Sequence, residues 1–420
     1  MAGHPEGRTD KGSARAAVIA PLTGVRLVAA VWVVLFHIYL FNGDWLAATH
    51  PAVDAVLGPI VSQGDLGVDL FFLLSGFVLG RNYLVRLGEE PSLRGALSFL
   101  WLRVARVWPL YMVAVLGGGL LLSLRFQLWG THPNVPLSWA RFLEQLVMVQ
   151  QWAAPNVPNT SWTGPAWSIS AEWLAYCSFP LLAVAVLRLH RRTGRGTTLA
   201  IAGVVLVPTL LWTGLAQTQA APFMWLARLA SEFTCGVLLS AALAEETPGL
   251  RRTASRLVPV SLGATAVWLY LAHGLDRDWL GPLVLALFPL LVVGLAHGDG
   301  PVHRWLASPA MVLGGGVSFA LYLVHVPLLK LFRDAVDHGA LPVSDGDRLY
   351  GELVVAAVSL VLAYLLFQHV EEPVRHRLRT IGPWVVALVL RLRVPPAGRI
   401  RPVPVFSEHV VEQQARRVLV

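Results

Sequence analysis

Residues 26–37 read RLVAAVWVVLFH: an arginine, ten apolar residues, a histidine. The stretch lies inside a longer apolar run, 22–41, which has the ~20 residues needed to cross a bilayer as a helix. Both polar ends are then expensive, because an ionisable side chain in hydrocarbon costs several kcal/mol unless it faces protein or water. At about 100° per residue, eleven steps make three turns plus about 20°, so Arg26 and His37 share one face. The rise between them is roughly 16 Å, about half the hydrocarbon core. That face is expected to line a path, with Arg26 near the cytoplasmic interface and His37 in the outward half. Taken singly, Arg26 reads equally well as an anchor that sets topology, and His37 as a hydrogen-bonded packing residue.

The whole chain agrees with a membrane setting. Of its 420 residues 55% are hydrophobic and 14% charged, and the mean hydropathy is +0.60. This is far more apolar than a soluble domain. Long apolar runs, in place of short alternating ones, point to an all-α integral membrane protein and away from a β-barrel. About ten transmembrane helices are predicted, near 22–41, 66–87, 104–124, 171–189, 197–215, 225–244, 256–273, 280–297, 309–331 and 349–370. Most of the 33 lysines and arginines then fall on the side of the N-terminus. Arg125, Arg141, Arg228, Arg277, Lys330, Arg333 and Arg348 fall on the other. The asymmetry puts both termini in the cytoplasm and makes the protein multi-pass in the plasma membrane. Three regions follow: a polar N-terminal segment 1–20, a membrane domain 21–378, and a cytoplasmic tail 379–420 that is interfacial or disordered. The first span carries no convincing cleavage site and is read as retained.

Composition also excludes. The net charge of +8 is almost entirely arginine, with Lys11 and Lys330 the two lysines. On a membrane protein such charge reports orientation and anionic lipid, and no nucleic-acid-binding motif accompanies it. Cys177 and Cys235 lie in apolar runs with neither metal-ligand spacing nor a disulfide framework. No metal and no permanently bound cofactor is expected.

Several polar groups in or beside apolar runs need partners. Asp69, in GDLGVDLFFLLSGF, reads either as a helix-start carboxylate or as a group that orients His37. Arg103 and Arg106, in RVARVWPLY, lie three residues apart on one face. Paired guanidiniums suit a phosphate or pyrophosphate, and equally a lipid phosphate. Glu172 begins an apolar helix in SWTGPAWSISAEWLAY, among tryptophans that include Trp167. His325, in VSFALYLVHVPLL, is expected near the outward end of its span. Glu371, Glu372 and Arg375, in HVEEPVRHR, pair with one another or with the basic mouth. The long polar-aromatic segment 125–170 exceeds a plain connector and is expected to carry function.

In this order, the arginine–ten–histidine span, GVDLFFLLSGF, RVARVWPLY, WSISAEW, SFALYLVHVPLL and EEPVR resemble the acyltransferase family 3 of membrane O-acyltransferases, from about residue 20 to 378. Each motif is weak alone, and six in order are specific. WSISAEW departs slightly from the pattern, with Trp173 directly after the glutamate. The resemblance implies an acyltransferase, for groups other than amino-acyl groups, that takes an acyl group from cytosolic acyl-CoA as co-substrate. The acceptor is a hydroxyl of a glycan, a lipid-linked sugar or a glycosylated metabolite. Carried over, His37 matches the family's essential histidine, Arg26, Arg103 and Arg106 its functional arginines, and Glu172 the glutamate of its W-S-x-x-x-E pattern. The expected mechanism has His37 as general base, Asp69 or Glu172 holding its ring, acyl-CoA phosphates on the three arginines, and Trp167, Ser168 and His325 on the acceptor side. A covalent variant would use Ser75 or Ser168. A transporter or flippase of a polar glycoconjugate is the competing class.

Overall fold

The computed structural model describes residues 19–157, 159–217 and 221–391. In chain order its α-helices are α1 (Ala20–Thr49), α2 (Pro51–Val61), α3 (Leu66–Glu89), α4 (Leu93–Trp129), α5 (Trp139–Leu146), α6 (Trp167–Val204), α7 (Val207–Ala216), α8 (Met224–Ala242), α9 (Pro248–Gly274), α10 (Phe288–His297), α11 (Pro301–Leu306), α12 (Pro309–Asp337), α13 (Arg348–Leu366) and α14 (Glu372–Val389). Among the described residues there is no strand, and the protein is an all-α membrane protein.

Eight helical stretches are long and apolar enough to cross a membrane. They account for nine of the ten predicted spans. Trp167–Ala216 holds two of them, separated at Gly194, whose φ of 78° and ψ of −179° break the helix in a conformation that favours glycine. The remaining predicted span, 225–244, corresponds to α8, which lies outside the eight and carries Arg228 and Glu232. The boundary expected at 378 falls inside α14, whose Leu378 carbonyl accepts from the Trp101 indole on α4 at 2.7 Å. Residues 1–18 and 392–420 lie outside the described residues.

α8 is the innermost element. Fifteen of its residues are buried, and it packs chiefly on α3 and α6. The approach to α3 is set by glycines. A Cβ on Gly76 would fall 2.1 Å from the Phe233 carbonyl oxygen, and one on Gly236 2.3 Å from that of Leu73. Two apolar helices in lipid gain little from hydrophobic exclusion, so close backbone packing through small residues must hold them. α1 meets α12 in the same way, with Gly315 against the Thr23 carbonyl.

Ion pairs supplement these contacts. Arg228 on α8 pairs with Asp69 on α3, a residue with no exposed surface. Arg125 on α4 forks onto Asp334 of α12 at 2.6 and 3.1 Å. Arg333 on α12 binds the buried Glu352 of α13 at 2.7 Å, and Asn42 of α1 donates to the same carboxylate at 2.7 Å. Elsewhere, Glu371, on a π-helical turn before α14, pairs with Arg106 of α4 and with Arg375, while Arg375 also binds Glu372. Both alternatives open for the EEPVR stretch are thus realised together.

Two outcomes follow. Gly236→Val should separate α3 from α8 and lower thermal stability in detergent by more than the 1–3 kcal/mol or so of ordinary overpacking, since the obstacle is backbone. Arg228→Met should cost about 3–5 kcal/mol by stranding Asp69, and adding Asp69→Asn should restore much of it. Thermal unfolding of the purified variants measures both, and equal melting of Arg228→Met and wild type would contradict the second.

Candidate active site

Arg26 and His37 do share one side of α1, but they face different cavities. The first cavity, of about 110 Å³, is lined by Arg26, Arg103 and Arg106, with Glu172, Ser75, Tyr176, Ser168 and Tyr322 among its other walls. The second, of about 1080 Å³, is lined by His37, Trp167, Lys330 and much of the 125–170 segment.

The arginine cavity is built from α1, α3, α4, α6 and α12. Arg26 lies over the Phe71 ring, 5.7 Å from its centroid, and its Nε has no hydrogen-bond partner among the described residues. Arg103 is held against Tyr83 and Phe99, at 5.5 and 5.8 Å, and donates to the Tyr83 hydroxyl at 3.2 Å. Arg106 is already matched to Glu371. Glu172 accepts a 2.6 Å hydrogen bond from Tyr176, whose oxygen in turn accepts from Ser75 at 3.4 Å. Three guanidiniums against one lining carboxylate leave the cavity suited to an anion.

His37 has a different partner from the two expected. Its Nδ1 lies 2.9 Å from the Val33 carbonyl oxygen and 3.3 Å from Nε2 of His325, with the rings 4.9 Å apart. His325 is fully buried and places its own Nδ1 3.0 Å from the Leu321 carbonyl oxygen. Carbonyls only accept, so both Nδ1 atoms are assigned the proton. His325 Nε2 is then an acceptor facing His37, and His37 Nε2 keeps a lone pair for chemistry.

This corrects the expected second half of the site. Asp69 does not orient His37, because Arg228 takes both of its oxygens. Glu172 does not reach it either. It lines the arginine cavity and is engaged by Tyr176. Ser168 belongs to the arginine cavity as well, its Oγ 2.7 Å from the Tyr322 hydroxyl. Trp167, the residue before it, lines the histidine cavity. Arg228 and Tyr322 are not anticipated by the sequence reading, whereas Tyr176 stands among the aromatics it groups with Glu172 as a sugar-facing or interfacial lining. A lone arginine in the apolar run 225–244 and a lone aspartate in 66–87 were the available signal for the first, since each needs an opposite charge. Nothing in the sequence pattern marks Tyr322.

The 125–170 segment walls the histidine cavity and is ordered by buried glutamines. Gln145 accepts from Ser161 and from the Trp162 amide, at 3.2 and 3.0 Å. Gln151 accepts from Thr160 at 2.8 Å and donates to the carbonyls of Ala154 and Asn156. Asn134, Asn156, Asn159 and Thr163 face the cavity together with Trp162 and Trp167.

Comparison with known proteins agrees with this architecture. The family model described as an acyltransferase domain, acyltransferase family 3, matches residues 19–368. The acyltransferase MdmB of Streptomyces mycarofaciens is 28% identical over 330 residues, covering 74% of this chain and 78% of that protein. The O-acetyltransferase OatA of Staphylococcus aureus is 24% identical over 385 residues, covering 85% of this chain. Those residues span 57% of OatA. The putative membrane-bound transacylase BcsY of Komagataeibacter xylinus is 26% identical over 362 residues, covering 83% of this chain and 81% of that protein. No solved structure matches. The chain belongs to acyltransferase family 3 and is a membrane acyltransferase.

Proposed function

We propose that the protein moves a short acyl group from cytosolic acyl-CoA to a hydroxyl of a glycan, lipid-linked sugar or glycosylated metabolite at the plasma membrane, with His37 as general base. One observation carries this reading: α1 lines both a cationic cavity, through Arg26, and a histidine cavity, through His37, and the two share Val68 and Tyr322. The donor's phosphates bind at Arg26 and Arg103, with Arg106 supporting them from its pair with Glu371. The pantetheine arm runs along α1 and presents the thioester near His37.

His37 Nε2 takes the proton of the acceptor hydroxyl as its oxygen attacks the thioester carbonyl. The tetrahedral intermediate collapses, the carbon–sulfur bond breaks, and the thiolate leaves with the proton from Nε2 as free CoA. The imidazolium that exists between these steps has its Nδ1–H on the Val33 carbonyl and His325 Nε2. His325 therefore takes the positioning role once assigned to a carboxylate. Glu172 and Tyr176 support the arginine cavity.

The outer cavity favours a sugar-bearing acceptor. Of its cations, Arg125, Arg333 and Arg228 are neutralised inside the protein by Asp334, Glu352 and Asp69, and Lys330 also lines it. Beside Lys330, the lining offers asparagine amides, a threonine hydroxyl and tryptophan faces, groups that hydrogen-bond and stack on sugars.

Purified protein in lipid vesicles tests the donor side. His37→Ala should lower transfer by about 10²–10⁴-fold, the usual worth of a general base, while radiolabelled acetyl-CoA still binds. Arg103→Ala should weaken that binding about ten- to a hundredfold, as expected for a charged hydrogen bond lost. His325→Gln, which can restore an acceptor to Nδ1 of His37, should retain more activity than His325→Leu. Transfer is followed as the acyl mass lost from glycans and extractable glycosides when the gene is removed and regained with each variant. Full transfer by His37→Ala would end this mechanism.

A further inference from the structure

The arginine and histidine cavities meet at two side chains. Among the described residues, Val68 and Tyr322 line both. Tyr322 is also a rung in a run of rings from one cavity to the other. Phe71, beneath Arg26, lies 6.4 Å from Tyr322. Tyr322 lies 6.1 Å from His325, and His325 is 4.9 Å from His37. Val68 and Tyr322 are therefore the boundary the two cavities share.

Both walls are held. The Tyr322 hydroxyl bonds to the Pro165 carbonyl at 3.0 Å and to Ser168 Oγ at 2.7 Å, which fixes the ring to the first turn of α6. Val68 is β-branched, so its side chain has little rotamer freedom on a helix, and it is 5% exposed. Its neighbour Gly67 packs on α1, where an added Cβ would come within 2.7 Å of the Ala29 carbonyl oxygen. α3 thus packs on α1 backbone beside Val68.

From this geometry we infer that Val68 and Tyr322 form the aperture through which the thioester reaches His37, and that its width selects acyl groups unbranched beside the carbonyl. The inference rests on the acyl-CoA donor proposed above. An extended methylene chain is as narrow as the cysteamine end of the pantetheine arm, the part next to the thioester sulfur. A methyl branch on the carbon next to the carbonyl must pass the Val68 side chain broadside. One methyl or methylene in a tight apolar site is worth about 10–200-fold in selectivity.

Butyryl-CoA and isobutyryl-CoA isolate the effect, because they differ in shape and not in atoms. Equilibrium binding to the full chain in lipid vesicles should favour butyryl-CoA by about tenfold or more. Val68→Ala should bring the two close to equal affinity. Val68→Phe should lose both acyl-CoAs yet bind 3′-phosphoadenosine 5′-diphosphate, the donor's nucleotide part, as wild type does. If Val68→Phe does not fold, the Val68→Ala ratio decides. An unchanged butyryl-to-isobutyryl ratio in Val68→Ala, or wild-type butyryl-CoA affinity in Val68→Phe, would overturn the aperture and leave the donor standing. Absence of binding of both acyl-CoA and the nucleotide part to wild type would overturn the donor assignment, and the aperture with it.

Discussion

The pairing of Arg228 with Asp69 is the contact around which the helices are organised. Each charge alone, within apolar helices, would be costly, and together they fix how α8 turns against α3. The glycine contacts on the same interface set its distance. Gly76 and Gly236 bring the two backbones together, and the salt bridge fixes their register. Because α3 also supplies Val68, Phe71 and Ser75, this one interface places a wall of both cavities.

A second consequence is a separation of roles along α1. The helix carries Arg26 into a cavity with Arg103 and Arg106, and carries His37 into a cavity lined by polar loop residues. Eleven residues of helix keep the two functions about 16 Å apart. His37 is oriented by neutral acceptors, a backbone carbonyl and a second imidazole. Those groups fix the tautomer without adding net charge to the site.

What the sequence made legible, and what it did not, follows from range. Span-length apolar runs, the shared face of Arg26 and His37, and the likeness of six ordered motifs to one family are local or ordered features, and each can be read along the chain. The fifth span was legible because basic and glycine residues interrupt the run near Gly194, where the helix breaks. Partners across the bundle were not legible. Asp69 and Glu172 were both offered to His37 because each sits near the start of an apolar helix. The choice went to residues far away in sequence: Arg228 for Asp69, and His325 for His37, 288 positions from it. Glu172 found Tyr176 one turn along its own helix, a contact that spacing allows but polarity alone does not single out. The two cavities were not legible either, since a wall made of Val68 and Tyr322 joins helices from opposite ends of the chain.

The same packing bears on the choice between acyl transfer and transport of a glycoconjugate. Moving a sugar past the wall would require α3 and α12 to part by the width of a ring. α3 is fixed to α8 by backbone-to-backbone contacts and the Arg228–Asp69 pair, and α12 to α1 by Gly315 on the Thr23 carbonyl. α12 is tied further to α4 and α13 through Asp334 and Arg333. Packed interfaces of this kind change by discrete rearrangement, and α1, on which both α3 (through Gly67) and α12 (through Gly315) pack, would have to move with one or the other. An acyl thioester would make a smaller demand, because the cysteamine end of the arm that carries it is unbranched, and Val68 and Tyr322 are the residues that line both cavities. The wall that resists a sugar is thus compatible with passage of an acyl group, and the acceptor can remain on its own side while the acyl group crosses.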